Sequence, residues 1–181
     1  MLVGSSGGST YQNPSTTTDE SGNEITLFET AVAMPPQVDP SNPKVISQGP
    51  SLCIFKDKNP QEVVASWLFV KFLATNVEFQ AAFSMASGYS PVIDSVKDNS
   101  IYMNWLSKGN GRNNVQALAV KQAIAQKDAC FVSPAFNGSS VARDEVGVLF
   151  QDALVLTGDD VDAAIAKLFS DAVKECEYQA D

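Results

Sequence analysis

Residues 59–92 read NPQEVVASWLFVKFLATNVEFQAAFSMASGYSPV and contain two consecutive helix patterns followed by a turn. Asn59 is a typical N-cap, and Pro60 suits the first helical position, where a backbone N–H has no partner to lose. The first helix pattern is apolar on nearly every face, which predicts a helix buried on more than one side. Its apolar residues are Val63, Val64, Trp67, Leu68, Phe69, Val70, Phe72 and Leu73.

The second helix pattern is predicted to begin with a capping box, in which Thr75 caps the helix and Glu78 reaches back to Thr75. One face of this helix repeats apolar residues at helical spacing, which predicts that the face is buried; it carries Phe79, Ala82, Phe83 and Ala86. Gly88 suits the left-handed C-cap, and Tyr89 follows it directly. The residues alone leave open whether Tyr89 packs under the next helix or is held out toward a ligand.

The chain before residue 59 is predicted to hold loops and short strands. Residues 4–24 are rich in Ser, Thr, Gly and Asn and predict a loop, and residues 25–35 predict a strand that stops at two prolines. Residues 44–55 predict two strand pieces around Gly49-Pro50, a pair that marks a bend or a crossing point. After residue 92 the periodicity predicts four helical segments, at 94–106, 113–126, 139–156 and 161–179. The last segment carries an apolar stripe of Val161, Ile165, Leu168, Ala172 and Cys176.

Composition excludes several classes of function. The 181 residues carry a net charge of −9 and no histidine. Nucleic acids and anionic membranes need a basic surface, so they are not expected partners. The lack of histidine removes His-dependent catalytic triads and the usual zinc sites, and we expect neither a metal nor another cofactor. Three well-separated cysteines form no CxxC motif: Cys53, Cys130 and Cys176. Their spacing allows one disulfide without identifying it, and burial as small apolar residues is the better explanation.

The carboxylates give little support for an enzyme. Asp159-Asp160 is better explained as a helix cap than as a catalytic pair, and the adjacent Asp144 and Glu145 would point in different directions from a helix. A hydrolase that uses carboxylates would need two of them converging in a pocket. The segment GSSGGS lacks the lysine that ends a phosphate-binding loop. We therefore predict that the protein is not an enzyme.

Polar recognition has better support. Four residues place a hydrogen-bonding or aromatic group on a turn or helix end beside a regular element, a common arrangement in binding sites: Ser5, Gly49, Tyr89 and Arg143. Each also has an ordinary explanation. For Ser5 it is a solvent loop, and for Gly49 it is a backbone bend. For Tyr89 it is internal packing, and for Arg143 it is a surface ion pair. The residues alone do not decide between these explanations.

The order of features from residue 45 to residue 92 resembles a known family. A short glycine-containing strand (VISQG) precedes an apolar strand that ends in lysine (SLCIFK), a helix with Asn-Pro, Ala-x-Trp and Phe-Leu, and a second helix that ends in Gly-Tyr-x-Pro-Val. This order resembles the extracellular solute-binding proteins, family 1, of bacterial ABC importers, which bind sugars or glycerol phosphate. The flanking segments VGSSGGS, FETAVAMPP and PAFNGSSVARDEVGVLFQDAL are similar to the C-terminal portion of that family.

The resemblance implies a helix-rich α/β fold that forms the C-terminal part of a two-lobed, type II periplasmic-binding-protein-like fold. Residues 1–46 would belong to the C-terminal lobe, residues 47–93 would return to the N-terminal lobe through crossing strands and two helices, and residues 94–181 would complete the C-terminal lobe with helices. The chain is then expected to be a C-terminal piece of a longer protein. On its own this piece would expose the apolar faces of the helices of residues 60–86, which favours self-association.

The resemblance also implies a role and a location. The family's ligand contacts match Ser5 through its hydroxyl, Gly49 through a close amide, Tyr89 through stacking and its phenol, and Arg143 through a planar fork for phosphate or a diol. The expected function is to capture a carbohydrate or glycerol-phosphate-like ligand and deliver it to the permease subunits of an ABC importer. The expected location is extracytoplasmic, in the periplasm or lipid-anchored on the outer face of the cytoplasmic membrane, with the signal segment outside this chain. The alternative is a helical structural or interaction module of a lipoprotein without a small-molecule ligand.

Overall fold

The helix-rich α/β fold expected from the sequence is confirmed. A computed structural model describes residues 2–158 and 160–180, and the chain divides into two compact units at the bond between Val132 and Ser133. The first unit holds β1 (Thr16–Thr18), β2 (Glu24–Thr26), β3 (Val45–Ile46), α1 (Pro60–Thr75), α2 (Val77–Ser87), α3 (Ser100–Ser107), α4 (Val115–Ala125) and β4 (Cys130–Phe131). It also holds the 3-10 helices Ser6–Gln12, Asp94–Asp98 and Lys127–Ala129. The second unit holds α5 (Ser139–Leu154) and α6 (Val161–Ala180).

The strands are short and form two separate pairs. β1 and β2 form an antiparallel hairpin, and β3 pairs with β4 in parallel, with Val45 opposite Cys130. The loop predicted for residues 4–24 is therefore wrong, since this segment holds a 3-10 helix, β1 and the start of β2. The strand predicted for residues 25–35 is limited to its first two residues, because the backbone beyond them has no strand partner in the described chain.

The two central helices begin at asparagine caps. Asn59 caps α1 as predicted, and its Oδ1 accepts a hydrogen bond from Gln61 N at 3.1 Å. The predicted capping box of α2 is wrong, because α1 extends through Thr75 and the Thr75 hydroxyl donates back to Lys71 O at 2.8 Å. Asn76 is the cap instead, and its Oδ1 accepts from Phe79 N at 2.8 Å.

The core of the first unit lies where α2, α3, α4 and the 3-10 helix Asp94–Asp98 meet. Its buried residues are Ala81, Val96, Tyr102, Leu106 and Val120, with Met85, Ile93 and Trp105 packed around them. The face of α2 predicted to be buried is wrong at three of its four positions, since Ala82 and Ala86 are exposed and Phe83 is 45% exposed, while Phe79 is half-buried. The buried side of α2 lies one position away from the predicted face and carries Ala81 and Ser84. Their small side chains let the neighbouring elements pack closely against the helix.

α1 is not buried on any side, contrary to the prediction from its composition. None of its residues is buried, because among the described elements α1 packs mainly on α2. Phe79 links the two helices through ring contacts with Phe72, at 6.0 Å between centroids, and with Phe83, at 5.8 Å. A large apolar surface of α1 and α2 therefore faces solvent and includes Val64, Trp67, Leu68, Phe69, Phe72 and Phe83.

In the second unit α5 and α6 pack on each other. The apolar stripe predicted for α6 is confirmed at four of its five positions, since Ile165, Leu168, Ala172 and Cys176 are half-buried while Val161 is exposed. Of the two predicted caps of α6, Asp159 lies outside the described residues. Asp160 acts as a cap, and its Oδ1 accepts from Ala163 N at 3.1 Å.

The cysteines do not behave as buried apolar residues. Cys53 and Cys130 are exposed and Cys176 is half-buried, and all three are free thiols. The prediction of buried cysteines is therefore wrong for two of the three. Cys53 lies in the irregular segment before α1, and Cys130 belongs to a short strand whose residues are both exposed.

We predict that Asn76→Ala lowers the free energy of unfolding by about 1 kcal/mol, because Phe79 N loses the side-chain acceptor that caps α2. Thr75→Ala is the matched control, since Thr75 is exposed and bonds only to a carbonyl of its own helix. We expect this control to change stability by less than about 0.5 kcal/mol. Chemical denaturation followed by circular dichroism measures both. A larger loss in Thr75→Ala than in Asn76→Ala would contradict the assignment of the cap.

Candidate ligand-binding site

Two of the residues predicted to bind a ligand lie on turns that touch each other. A Cβ atom placed on Gly7 would lie 2.9 Å from Cζ and 3.2 Å from both Cε atoms of Tyr89, so Gly7 lies over the face of the tyrosine ring. Gly88 has φ +76°, and a Cβ atom there would lie 2.7 Å from Ser6 O. The two turns fit together because glycine supplies no side chain at either contact.

Ser5 occupies the start of the first of these turns. It is exposed and caps the 3-10 helix Ser6–Gln12, with its Oγ accepting from Gly7 N at 3.2 Å. This bond uses the hydroxyl oxygen as an acceptor and leaves the hydroxyl hydrogen available to donate. This bond orients the Ser5 side chain, and the hydroxyl hydrogen has no acceptor among the described residues.

Tyr89 is half-buried, and its backbone is held from both sides. Ser84 Oγ donates to Tyr89 O at 2.6 Å, and Tyr89 N donates to Ser87 Oγ at 3.2 Å. The phenol of Tyr102 lies 3.2 Å from Ser84 Oγ and must be the donor in that bond, because the single hydrogen of Ser84 already goes to Tyr89 O. Burial raises the pKa of Tyr102, with an opposing contribution from Ser84, so this phenol keeps its proton at neutral pH.

The other end of the same loop is held by Gln80, a buried residue of α2. Gln80 Oε1 accepts from Val92 N at 3.1 Å, and Gln80 Nε2 donates to Leu73 O near the end of α1 at 2.6 Å. Sequence reasoning missed Gln80, Ser84 and Gly7. The available signal for the first two was a pair of polar residues four positions apart, on the side of α2 that also carries Ala81.

The N-terminal segment is attached to the start of α4, which keeps the Ser5 turn near Tyr89. Asn13 Oδ1 accepts from Val115 N at 3.1 Å, and Thr30 N donates to Gly111 O at 2.8 Å. An exposed ion pair of 3.6 Å joins Arg112 to Glu29, and such a pair contributes little stability. The anchoring therefore depends mainly on the two hydrogen bonds and on packing of the 3-10 helix Ser6–Gln12 against α4.

Gly49 is not part of this contact, and Arg143 belongs to the second unit. A Cβ atom placed on Gly49 would meet no atom within 4 Å, so the backbone at Gly49 is open to solvent. Arg143 lies on α5 of the second unit, is exposed, and forms no ion pair with a carboxylate of the described residues. The surface ion pair considered for Arg143 is therefore not observed within residues 2–158 and 160–180.

Two open grooves of the first unit are lined by other residues than Ser5, Gly49 and Tyr89. One, of about 410 Å³, is formed by the segment 52–57 and α1, and the other, of about 420 Å³, lies beside β2 and Arg112. Among the described residues, no group of three or more His, Cys, Asp or Glu side chains is placed to hold a metal ion. No described helix is long and apolar enough to cross a membrane.

The chain belongs to the family of bacterial extracellular solute-binding proteins, which residues 3–109 match. These residues include Ser5, Gly49 and Tyr89 and end before Arg143. No curated protein and no solved structure matches the chain. Family membership gives the protein an extracytoplasmic, solute-binding role, with a small-molecule ligand and a transporter as its general partners.

We predict that Gly7→Ala displaces the Tyr89 ring and costs about 1–3 kcal/mol of stability, because the new methyl group would be too close to three ring carbons. Gly8→Ala is the matched control, since a Cβ atom there would meet nothing within 4 Å. Thermal unfolding compares the two variants, and acrylamide access to tyrosine reports the ring. Equal stability of both variants would show that Gly7 does not contact the ring.

Proposed function

We propose that this protein captures a polyhydroxylated ligand, either a carbohydrate or a glycerol phosphate or phosphodiester, and delivers it to the permease subunits of an ABC importer. The observation that carries the proposal is the contact between the Ser5 turn and the ring of Tyr89. This contact joins a half-exposed aromatic ring to a turn that offers a hydroxyl donor. Sugar binding uses both features, since the apolar face of a sugar stacks on a ring while its hydroxyls need hydrogen bonds.

Each proposed contact has a physical role. Gly7 covers part of one face of Tyr89, so the rest of the half-buried ring and its phenol are the surface for the ligand. Gly49 would offer a backbone amide, since its surroundings are open. Arg143 would pair with a phosphate or with two neighbouring hydroxyls, which its planar guanidinium matches better than a lysine does.

The proposed organisation follows the two-lobed fold. In it, residues 1–46 and 94–181 contribute to the C-terminal lobe and residues 47–93 to the N-terminal lobe. On this assignment the Ser5 turn and Tyr89 would come from segments of different lobes and would meet at the boundary between them, which is where such a fold holds its ligand. In the structure α2 shares its core with α3 and α4, so these segments belong to one compact unit. Closure around the ligand at this boundary would create the transport-competent state.

A second candidate function is favoured by the exposed apolar surface of α1 and α2. An interaction module of a lipoprotein, with no small ligand, would use this surface to bind another protein. In that case Tyr89 only packs against Gly7, and its replacement changes stability without affecting any ligand. The two candidates therefore differ in what Tyr89 does.

We predict that the chain binds at least one compound from a panel of maltose, glucose, glycerol 3-phosphate and glycerophosphocholine. Tyr89→Ala should weaken this binding by about tenfold or more, because it removes the stacking surface and the phenol. Isothermal titration calorimetry measures the affinity, and mass spectrometry of the purified protein identifies any compound that it carries.

Tyr11→Ala is the control for this experiment, since Tyr11 is 85% exposed and lies in the same 3-10 helix as Gly7. It should bind like the unmodified protein. The absence of binding by every compound in the panel, or an unchanged affinity in folded Tyr89→Ala, would overturn the proposed function and favour the interaction module.

We further propose that the exposed apolar surface drives self-association of this chain. The chain exposes 13440 Å², whereas a compact monomer of 19.3 kDa exposes about 8,500 Å². Even two separate compact units of the sizes found here would expose only about 10,000 Å² together. The excess over two compact units is about 3,400 Å² per chain, or about 7,000 Å² for two chains, and obligate dimers bury roughly 2,000–5,000 Å² or more in total over both chains.

We predict a dimer or larger assembly at micromolar concentration in sedimentation velocity, and more of it as salt increases. Salt screens the repulsion between two chains of charge −9 and leaves apolar contact in place. Leu68→Glu, at a position 57% exposed on α1, should give a monomer. Ile101→Glu, at a position 69% exposed on α3, is the control and should still associate. A monomer at all salt concentrations would contradict this proposal.

A further inference from the structure

Two buried polar side chains lie on the inner side of α2. Gln80 is 8% exposed and Ser84 is 1% exposed, and their spacing of four residues places them on the same side of the helix. Burying a polar side chain is unfavourable unless its hydrogen-bonding groups are satisfied. Both side chains are bonded to groups outside α2, so their burial contributes to the arrangement of other elements and not to the helix itself.

The bonds of this pair converge on the loop of residues 89–92. Ser84 donates to the carbonyl of the first residue, Tyr89, at 2.6 Å, and Gln80 accepts from the amide of the last, Val92, at 3.1 Å. Pro91 lies between them and restricts the backbone further, because its ring limits φ. The loop is thus held at both ends and stiffened in the middle, and it carries Tyr89.

We propose that Gln80 and Ser84 are positioning residues of the ligand site, which hold the loop of residues 89–92 so that Tyr89 is presented beside the Ser5 turn. This inference rests on the proposed function, because it assigns a role to residues behind the same tyrosine. Neither side chain contacts the ligand. Ser84 acts through the carbonyl of Tyr89, and Gln80 acts through the amide of Val92.

A substitution at Tyr102 distinguishes a role of Ser84 in positioning Tyr89 from a role in the stability of the fold alone. The phenol of Tyr102 bonds to Ser84 in the same buried network, whereas the bonds to the two ends of the loop are those of Ser84 and Gln80. Tyr102→Phe removes one buried hydrogen bond and keeps the bond from Ser84 to Tyr89. Ser84→Ala removes the bond to Tyr89 and also leaves the Tyr102 phenol without its acceptor. A role in stability alone predicts that both variants affect the ring alike, whereas positioning predicts that only Ser84→Ala moves it.

The test is nuclear magnetic resonance of the full 181-residue chain, with the nuclear Overhauser effect between the Gly7 Hα protons and the Tyr89 ring as the readout. We expect this signal to fall at least twofold in Ser84→Ala and to stay within experimental error in Tyr102→Phe. Gln80→Leu, which nearly conserves volume, is the second variant in case Ser84→Ala does not fold. It should weaken the same signal and speed hydrogen exchange of the Val92 amide at least tenfold, since that amide loses its acceptor.

Binding of maltose and glycerol 3-phosphate to the same variants separates the two proposals. The expected result is weaker binding in Ser84→Ala and Gln80→Leu, by fivefold or more, with Tyr102→Phe close to the unmodified protein. The positioning role is overturned if the Gly7–Tyr89 ring signal is unchanged in Ser84→Ala and Gln80→Leu. It is also overturned if Tyr102→Phe loses as much of this signal as they do. In both cases the proposed function still stands as long as Tyr89→Ala impairs binding. Unchanged binding in Tyr89→Ala overturns the proposed function instead.

Discussion

The hydrogen bond from the buried hydroxyl of Ser84 to the carbonyl of Tyr89 joins the elements around the candidate site. It ties the end of α2 to the turn that follows, and the phenol of Tyr102 extends the connection to α3. In the low-dielectric interior such a chain of bonds is stronger than in water, and each member fixes the orientation of the next. The backbone of Tyr89 is held by the bond from Ser84, and the other end of its loop is held by Gln80, which together place the tyrosine ring beside Gly7.

The helix boundaries were largely predictable because their signals are local. Asn59-Pro60 and Gly88 act through the backbone of their own turn, and the structure uses both as the sequence suggested. The cap of α2 was misplaced by one residue because Thr75 and Asn76 are both good caps, and the length of α1 decides between them. The strand predicted for residues 25–35 failed for another reason, since a strand needs a partner that local sequence does not supply.

The buried faces were less predictable, because tertiary contacts select among several apolar sides. In α2 the phenylalanines suggested one face, and the structure buries the neighbouring one, where Ala81 and Ser84 permit close packing. The candidate site shows the same limit. Tyr89 was chosen by its place on a turn at a helix end and by family resemblance. Its contact with Gly7 could not be read from spacing, since Gly7 and Gly8 are alike in sequence and, of the two, Gly7 faces the ring.

The bond from Gln80 to Leu73 has a mechanical consequence. One planar amide joins the last turn of α1 to the exit of the tyrosine loop, so a displacement of either end is passed directly to the other. The apolar side chains that α1 presents to solvent belong to the same helix as that turn. A surface that binds to α1 and covers it would restrain the movement of this helix. The loop that carries Tyr89 would then become stiffer too, because Gln80 links it to α1.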